Sequence, residues 1–411
     1  MTAMEEASLP LVAVAGGPLE RGRAYGSQAA ERIGRSIGLY EQVFRQHAGL
    51  DWAAAVARAE RYLPAIEAYL PAALAEMQGI AEGAGVAFGD ILALNARSEL
   101  MFAAGGGDPG PGECTAFALL PEAGEGGRGL LGQNWDWLAF ARDTMMLLAV
   151  RREEGPGYVT LVEAGLLAKA GLNAAGIGLC TNTLVSTRDG RAGEGGVPYH
   201  IVLRRLLDAT SLDAALKAIY LPRRALSANY LLADARGLAC NAETQPGGGE
   251  AVRLLLPEQG LLVHANHFLD PGFAREDLRV RQSPSSQLRN WVLRERLRRG
   301  GPVSLERAMQ ALSDDRNAPY GVSAYPDPVR RPLERYCTLA SLVMDPAAGA
   351  LYVAAGPPSR HPYRRYELQE LLGAAPAPAA GGPQRGGLAA TARLAQSSSV
   401  SSSSRQVSGA S

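Results

Sequence analysis

Gly112-Glu113-Cys114-Thr115-Ala116-Phe117 divides the chain into two kinds of sequence. Behind it lies Ala103 to Glu113, which contains Gly105-Gly106-Gly107-Asp108-Pro109-Gly110-Pro111-Gly112. No regular element survives that composition, so the stretch reads as a flexible, exposed connector. Upstream the pattern is helical. Ile33, Ile37, Tyr40 and Phe44 recur at helical spacing, and Leu74, Met77 and Ile80 share a face after Pro71. That segment stops at Gly83-Ala84-Gly85, and a further helix is expected over Gly89 to Met101. Downstream of Cys114, short strands are expected over 115–120, 130–136, 146–151 and 158–163, followed by a hairpin of 167–172 with 177–183 around Asn173-Ala174-Ala175-Gly176.

The rest of the chain alternates. Helices are expected over 198–207 and, capped by Ser211, to Ile219. Strands recur at 229–233, 238–243 and 261–265, then helices over 285–299 and from Ser304, then strands at 338–345 and 350–355. A helical front followed by strand runs interleaved with helix pairs is an α+β pattern with mostly antiparallel sheets. From Ala374 onward there is no aromatic residue, and 373–411 reads as a disordered, low-complexity tail.

Bulk properties narrow the function classes. Apolar residues make up 47% of the chain and charged ones 20%, enough for a core and for solubility. Lys plus Arg and Asp plus Glu both number 41, which argues against a nucleic-acid partner. Nearly all the basic residues are Arg; Lys169 and Lys217 are the only lysines, and this reads as a compositional bias without mechanistic weight. The four cysteines, Cys114, Cys180, Cys240 and Cys337, form no C-x-x-C motif and no disulfide framework. The start is acidic rather than basic and apolar, and no run approaches the roughly 20 apolar residues that span a bilayer. A cytoplasmic protein without a membrane partner is the expectation.

A free Cys is usually a small buried hydrophobe, and that suffices for Cys180, Cys240 and Cys337. Cys114 stands at the junction of a loose loop and a strand, where its thiol can attack the preceding Glu113 carbonyl. Hydrolysis of the resulting thioester would free a Cys114 α-amine, with an unperturbed pKa of about 7.7–8.0, to serve as base for the thiol. On this context alone, a structural thiol and a nucleophile are equally good readings. Gly132-Gln133-Asn134-Trp135-Asp136-Trp137 lies one strand and one turn later, a spacing that can set Asp136 beside Cys114 on the paired strand.

These two runs resemble the acyl-coenzyme A:6-aminopenicillanic acid acyltransferase family. These are the isopenicillin N acyltransferase-like, C45 autoproteolytic peptidases of the N-terminal-nucleophile hydrolase superfamily. The resemblance extends to Met77–Gly85, Ile91–Arg97, Gly171–Gly178, Ser227-Ala228-Asn229-Tyr230 and His264-Ala265-Asn266-His267-Phe268, and covers roughly residues 15 to 370 in consistent order. It implies a four-layer αββα sandwich, an N-terminal helical chain of 1–113 released or retained after self-cleavage, and a catalytic chain of 114–372. It implies Cys114 as nucleophile, Glu113–Cys114 as the cleaved bond, Asp136 as the carboxylate orienting the nucleophile, and Asn266 as an oxyanion-hole donor. By similarity to the choloylglycine hydrolases, Asn182 and Arg289 of Ser285-Ser286-Gln287-Leu288-Arg289 join the site. Those hydrolases carry Arg where Gln133 stands, which favours the acyltransferase branch. Penicillin-forming relatives have Gly where Glu113 stands. No cofactor is implied; acyl-coenzyme A enters only as a substrate, beside small-molecule amides. The cleaved N-terminal chain is the expected subunit, and further oligomerisation stays open.

Other signals are weaker. His264 and His267 have H-x-x-H spacing but no third ligand, so no metal site is expected. Gly171 to Gly178 is a hairpin turn rather than a nucleotide cradle. Arg204-Arg205, Arg223-Arg224 and Arg330-Arg331 read as surface pairs, one of which could meet the phosphates of an acyl-coenzyme A. Two rivals remain: an unprocessed binding protein that keeps the fold, and a cysteine hydrolase using His264 or His267 as base without cleavage. Transfer and hydrolysis are not separated by sequence, and a hydrolase of N-acylated or β-alanyl amines that makes no use of coenzyme A is as good a reading as an acyltransferase.

Overall fold

The change of pattern at Cys114 is a change from helix to sheet, with one exception at the front. The computed structural model describes residues 8–102, 113–190 and 195–373, so most of the glycine-rich connector and the tail from 374 lie outside the described residues. The chain enters on β1 (Leu11–Gly16), a strand that the helical reading of the front misses. Pro18 then opens α1 (Pro18–Val43), where its missing N–H falls in the first turn and costs nothing. Ile33, Tyr40 and Phe44 are buried and Ile37 packs beside them, as their spacing requires.

Four short helices follow: α2 (Trp52–Ala59), α3 (Leu63–Tyr69), α4 (Pro71–Ala84) and α5 (Phe88–Asn95), and then α6 (Arg97–Phe102). The single helix expected over 89–101 breaks at Ala96. There the Asn95 amide donates to Ile91 O and Gly165 O and accepts from Leu167 N–H, tying the helix end to a distant loop. Helices α1 and α4 cross with their backbones touching. A Cβ added at Gly22, Gly26, Gly79 or Gly83 would lie 2.1–2.3 Å from a carbonyl oxygen of the facing helix, so only glycine fits.

The strand region runs through β2 (Glu113–Leu119), β3 (Leu130–Leu138), β4 (Met145–Arg152), β5 (Tyr158–Glu163), β6 (Ala170–Asn173) and β7 (Ile177–Thr183). Helices α7 (Tyr199–Leu206) and α8 (Leu212–Tyr220) intervene, the latter capped by Ser211, whose side chain accepts from Ala214 N–H at 3.1 Å. Next come β8 (Ala228–Asp234), β9 (Ala239–Thr244), β10 (Val252–Leu255) and β11 (Leu261–His264), and then the single turns α9 (Pro271–Ala274) and α10 (Arg279–Gln282). The described chain closes with α11 (Ser285–Arg298), α12 (Leu305–Leu312), β12 (Tyr336–Asp345), β13 (Ala350–Ala354), β14 (Arg364–Glu367) and α13 (Leu368–Gly373).

Two sheets result. One has the order β1-β4-β5-β6-β7-β8-β9-β10, the other β11-β2-β3-β12-β13-β14. The β1–β4 pairing is parallel and the other ladders are antiparallel. Strands β2 and β3 pack on β7 and β8, sheet to sheet. Helices α1, α4, α5, α7 and α8 share the main apolar core with the eight-stranded sheet. On the far side, Leu293, Leu297, Ala308, Ala311 and Leu312 of α11 and α12 pack on Phe117, Leu130, Val263 and Val343. This is the four-layer αββα sandwich that the resemblance implies.

Two boundaries differ from expectation. Glu113 is not exposed connector but the first residue of β2, 2% exposed. Gly373 ends α13 rather than starting the tail. The front of the chain is also more than helical, because β1 completes the eight-stranded sheet.

Candidate active site

Strand alternation sorts the residues around Cys114 onto two faces. In the β2–β3 ladder, Glu113 stands opposite Asp136 and Cys114 opposite Trp135. Cys114, Trp135 and Gln133 point between the sheets, where the Gln133 amide donates to Thr181 O at 2.9 Å and accepts from Thr181 N–H at 2.8 Å. Gln133 therefore stitches β3 to β7. Asn134 and Asp136 point toward the outer helices: Asn134 donates to Leu312 O and Val322 O, and Asp136 Oδ1 accepts from Thr338 Oγ1 at 2.6 Å. Asp136 is thus one residue offset from the expected place beside Cys114.

The other expected residues converge on the Cys114 backbone. Cys114 N–H donates to Asn266 Oδ1 at 2.7 Å. Asn182 Nδ2 donates to Cys114 O at 3.1 Å. From the buried first turns of α11, Arg289 donates to Cys114 O at 2.9 Å, Thr115 Oγ1 at 2.6 Å and Asn266 Oδ1 at 3.1 Å. The same guanidinium lies 2.9 Å from Glu113 Oε2. Asn266 does not present a donor here. Its oxygen faces two donors, Cys114 N–H and Arg289, while its Nδ2 is spent on Thr183 O at 2.9 Å. It is an acceptor at the Cys114 nitrogen.

The charges are unevenly matched. Asp136 is fully buried, and its Oδ2 has no hydrogen-bond partner among the described residues. Burial pushes its pKa up to about 7, against the pull of Arg289 and Thr338. Burial pushes the Cys114 thiol up to about 11, although Lys169 and a backbone hydrogen bond from Asp136 favour the thiolate. Burial also works against a charged Glu113, but Arg289 and Ser283 carry that carboxyl below its usual range.

Several contributors escape the sequence reading. Asn229 Nδ2 donates to Asn182 Oδ1 at 2.9 Å and so supports the orientation in which Asn182 Nδ2 meets Cys114 O and His264 O. Ser286 Oγ accepts from Asn266 N–H at 2.8 Å. Lys169, dismissed as composition, is buried with its ammonium 4.6 Å from the Tyr199 ring centroid and 5.3 Å from that of Trp135. It donates to Tyr199 Oη at 3.0 Å, and burial brings its pKa down to about 8. A lone buried lysine in a chain that otherwise chooses Arg was the available signal.

The set-aside residues resolve as well. His264 Nε2 lies 2.8 Å from Glu243, and His267 Nδ1 lies 2.8 Å from Ser286. Burial lowers the His267 pKa to about 3. Among the described residues, no group of three His, Cys, Asp or Glu is placed to hold a metal, and no helix is long and apolar enough to cross a membrane. Two of the supposed surface arginines are buried: Arg204 pairs with Glu76, and Arg224 donates to Pro222 O. A cavity of about 630 Å³ lined by Tyr69, Arg205, Lys217 and Arg223 shares no residue with the Cys114 centre.

The front segment is locked to the strands near this centre. Tyr40 Oη donates to Glu163 Oε2 at 2.7 Å and accepts from Trp137 Nε1 at 2.7 Å, while Arg97 ion-pairs with Glu163.

Comparison with known proteins gives a consistent picture. The sequence model of the family described as acyl-coenzyme A:6-aminopenicillanic acid acyl-transferase matches residues 123–360, more than half of the chain, starting beyond Cys114. The acyl-coenzyme A:6-aminopenicillanic-acid-acyltransferase 40 kDa form of Emericella nidulans is 27% identical over 286 residues, 69% of this chain and 75% of that protein. Among solved structures, a mutant of the conjugated bile acid hydrolase from Clostridium perfringens overlaps 63% of this chain and 94% of its own, at 13% identity and a TM-score of 0.38. Penicillin V acylase from Agrobacterium tumefaciens overlaps 59% and 83%, at 13% identity and a TM-score of 0.34. Overlaps this loose do not bear on the site.

Proposed function

Because this chain belongs to the acyl-coenzyme A:6-aminopenicillanic acid acyl-transferase family, we propose that it cuts itself between Glu113 and Cys114 and then transfers or hydrolyses acyl groups through a thioester on Cys114. The observation that carries the proposal is the half-satisfied Asp136, a buried carboxyl whose Oδ2 has no hydrogen-bond partner among the described residues and which stands opposite Glu113, one residue from Cys114, in the β2–β3 ladder. A buried carboxylate left without a partner is costly, and such exceptions call for an explanation. Self-cleavage supplies one, because it turns the Cys114 N–H into an ammonium.

The steps balance as follows. Cys114 Sγ attacks the Glu113 carbonyl carbon, the C–N bond breaks, and the departing Cys114 nitrogen takes the thiol proton. Water then attacks the thioester, leaving a Glu113 carboxylate and a free Cys114 thiol and amine. The new ammonium keeps Asn266 Oδ1 as acceptor and gains Asp136 as counter-ion. Its neutral form is the base for Sγ, and Lys169 favours the thiolate. Attack on a substrate amide or acyl-coenzyme A thioester repeats the chemistry, with an amine or water accepting the acyl group. Asn182 and Arg289 fix the Cys114 backbone during both rounds. The N-terminal chain stays as a subunit, held by the β1–β4 ladder and the Arg97–Glu163–Tyr40 contacts. Four free, buried cysteines support work in the reducing cytoplasm.

The test is intact mass under denaturing conditions. Two fragments meeting at Glu113/Cys114 are expected for the wild type and one for Cys114→Ala. An uncut wild-type chain would falsify the proposal and leave the unprocessed binding protein.

A further inference from the structure

The side chain on the acyl side of the cut bond is not idle. Glu113 is 2% exposed, and its carboxylate sits in a built set of contacts. Arg289 lies 2.9 Å from Oε2, Ser283 donates to Oε1, and Ser285 Oγ lies 3.4 Å from Oε2. Tyr336 adds a hydrogen bond, and the charge of Arg279 also bears on it. The self-cleavage proposed above needs none of this, because it acts on the Glu113 carbonyl alone.

In that reaction Glu113 is the acyl group on Cys114 Sγ, and substrate turnover forms a thioester on the same sulfur. Side-chain contacts that hold one acyl group are therefore available to the next. Cutting also removes the first occupant. Once the bond is cut, no covalent link holds Glu113 at Cys114, and its side chain can leave these contacts to a substrate.

Resting on the self-processing reading, we propose that Ser283, Ser285, Arg289 and Tyr336 form an acyl-side subsite for a carboxylate. It selects acyl groups in which the carboxylate stands as far from the reacting carbonyl as in Glu113, a glutaryl or α-glutamyl group. A hydrogen-bonded guanidinium in a buried site prefers such a group over its neutral amide analogue. The reaction is ordinary acyl transfer: Sγ attacks the carbonyl, the leaving thiol or amine takes the proton, and water or an amine releases the acyl group.

The experiment uses processed wild-type protein, its two chains verified by intact mass, with glutaryl and glutaramoyl thioesters of N-acetylcysteamine. These differ only in carboxylate against carboxamide, and thiol release reports both transfer and hydrolysis. The expected kcat/KM ratio is about 10–10² in favour of glutaryl. In Ser283→Ala/Ser285→Ala the ratio falls toward one through a higher KM for glutaryl, and a ratio is insensitive to loss of active protein. Equal rates for the two thioesters in cut enzyme, or release from neither, overturn the subsite while leaving self-processing intact. An uncut chain removes self-processing and the subsite with it.

Discussion

Glu76 and Asp136 are both carboxylates sealed from solvent, and they stand in opposite states. Glu76 Oε2 receives Arg21 at 2.8 Å and Arg204 at 3.1 Å, and Tyr158 lies 3.5 Å from Oε1. Burial would raise its pKa, but the two guanidiniums bring it below the usual value. Asp136 has Thr338 on one oxygen and none of the described residues on the other, and burial lifts it to about 7. The first carboxylate is complete at folding and joins α1, α4 and α7. Under the self-cleavage proposed above, the second gains its counter-ion only when the Cys114 ammonium forms. The two carboxylates differ in satisfaction, not in depth.

Exchanging either carboxylate for a neutral residue tests that distinction. Glu76→Ala leaves Arg21 buried without its anion and Arg204 with Asp208 alone, and should cost about 3–5 kcal/mol of stability. Urea unfolding in a Cys114→Ala background measures this without interference from cutting, and whatever folds in the single variant should still cut. Asp136→Asn should do the reverse. Its unfolding midpoint does not fall below that of the parent, while the cutting rate, followed by intact mass against time, falls by about 10²–10³. If both variants lost stability alike and cut alike, the two carboxylates would be equivalent and the comparison would collapse.

The same contrast explains what could be read from the chain. Local signals survived: the Ser211 cap, the Asn173–Gly176 turn and the strand that begins at the Cys114 junction all depend on neighbouring residues. Of the residues assigned by resemblance, Asn182, Asn266 and Arg289 meet the Cys114 backbone, while Asp136 stands one residue along the ladder, opposite Glu113. What failed was non-local. The run Leu11–Gly16 lacks the charged-apolar alternation of a half-exposed strand, and its partner β4 lies far along the chain. The one-residue offset of Asp136 depends on the path of residues 120–129, two 3₁₀ turns whose span no spacing rule predicts. Lys169 and Asn229 matter through what faces them across the sandwich, and the paired glycines of α1 and α4 matter only once the helices cross.

That crossing offers a smaller, purely structural effect on the Glu76 side. Gly83→Ala would drive a Cβ to 2.1 Å from Arg23 O, and the helices must part to admit it. A loss of about 1–3 kcal/mol is expected, with cutting by the folded protein unaffected.

The Asp136 side should show itself as a pH dependence. In uncut Cys114→Ala, native Asp136 keeps its proton up to about pH 7, whereas the unfolded chain releases it at ~3.9. Between those values the native state binds the extra proton, so stability falls as pH rises, by about 1 kcal/mol from pH 6 to 7. Asp136→Asn in the same background should remove that part of the slope. An unchanged slope would mean that the carboxylate is already ionised and matched.

The finest effect concerns the orientation of one amide. Asn182 can point either end at Cys114 O, and only the Nδ2 end is useful there. Asn229 favours that end by donating to Asn182 Oδ1, alongside the Cys114 and His264 carbonyls that Nδ2 faces. Asn229→Ala removes the donor, and a loss of one hydrogen bond worth ~1 kcal/mol predicts cutting about fivefold slower. Asn229→Asp is the sharper variant, because its carboxylate accepts where the amide donated and turns Asn182 around. The Asp variant should therefore be slower than the Ala variant, although it is nearer in size to the parent. Equal rates for the two would show that Asn229 fills space and leaves the amide orientation to other contacts.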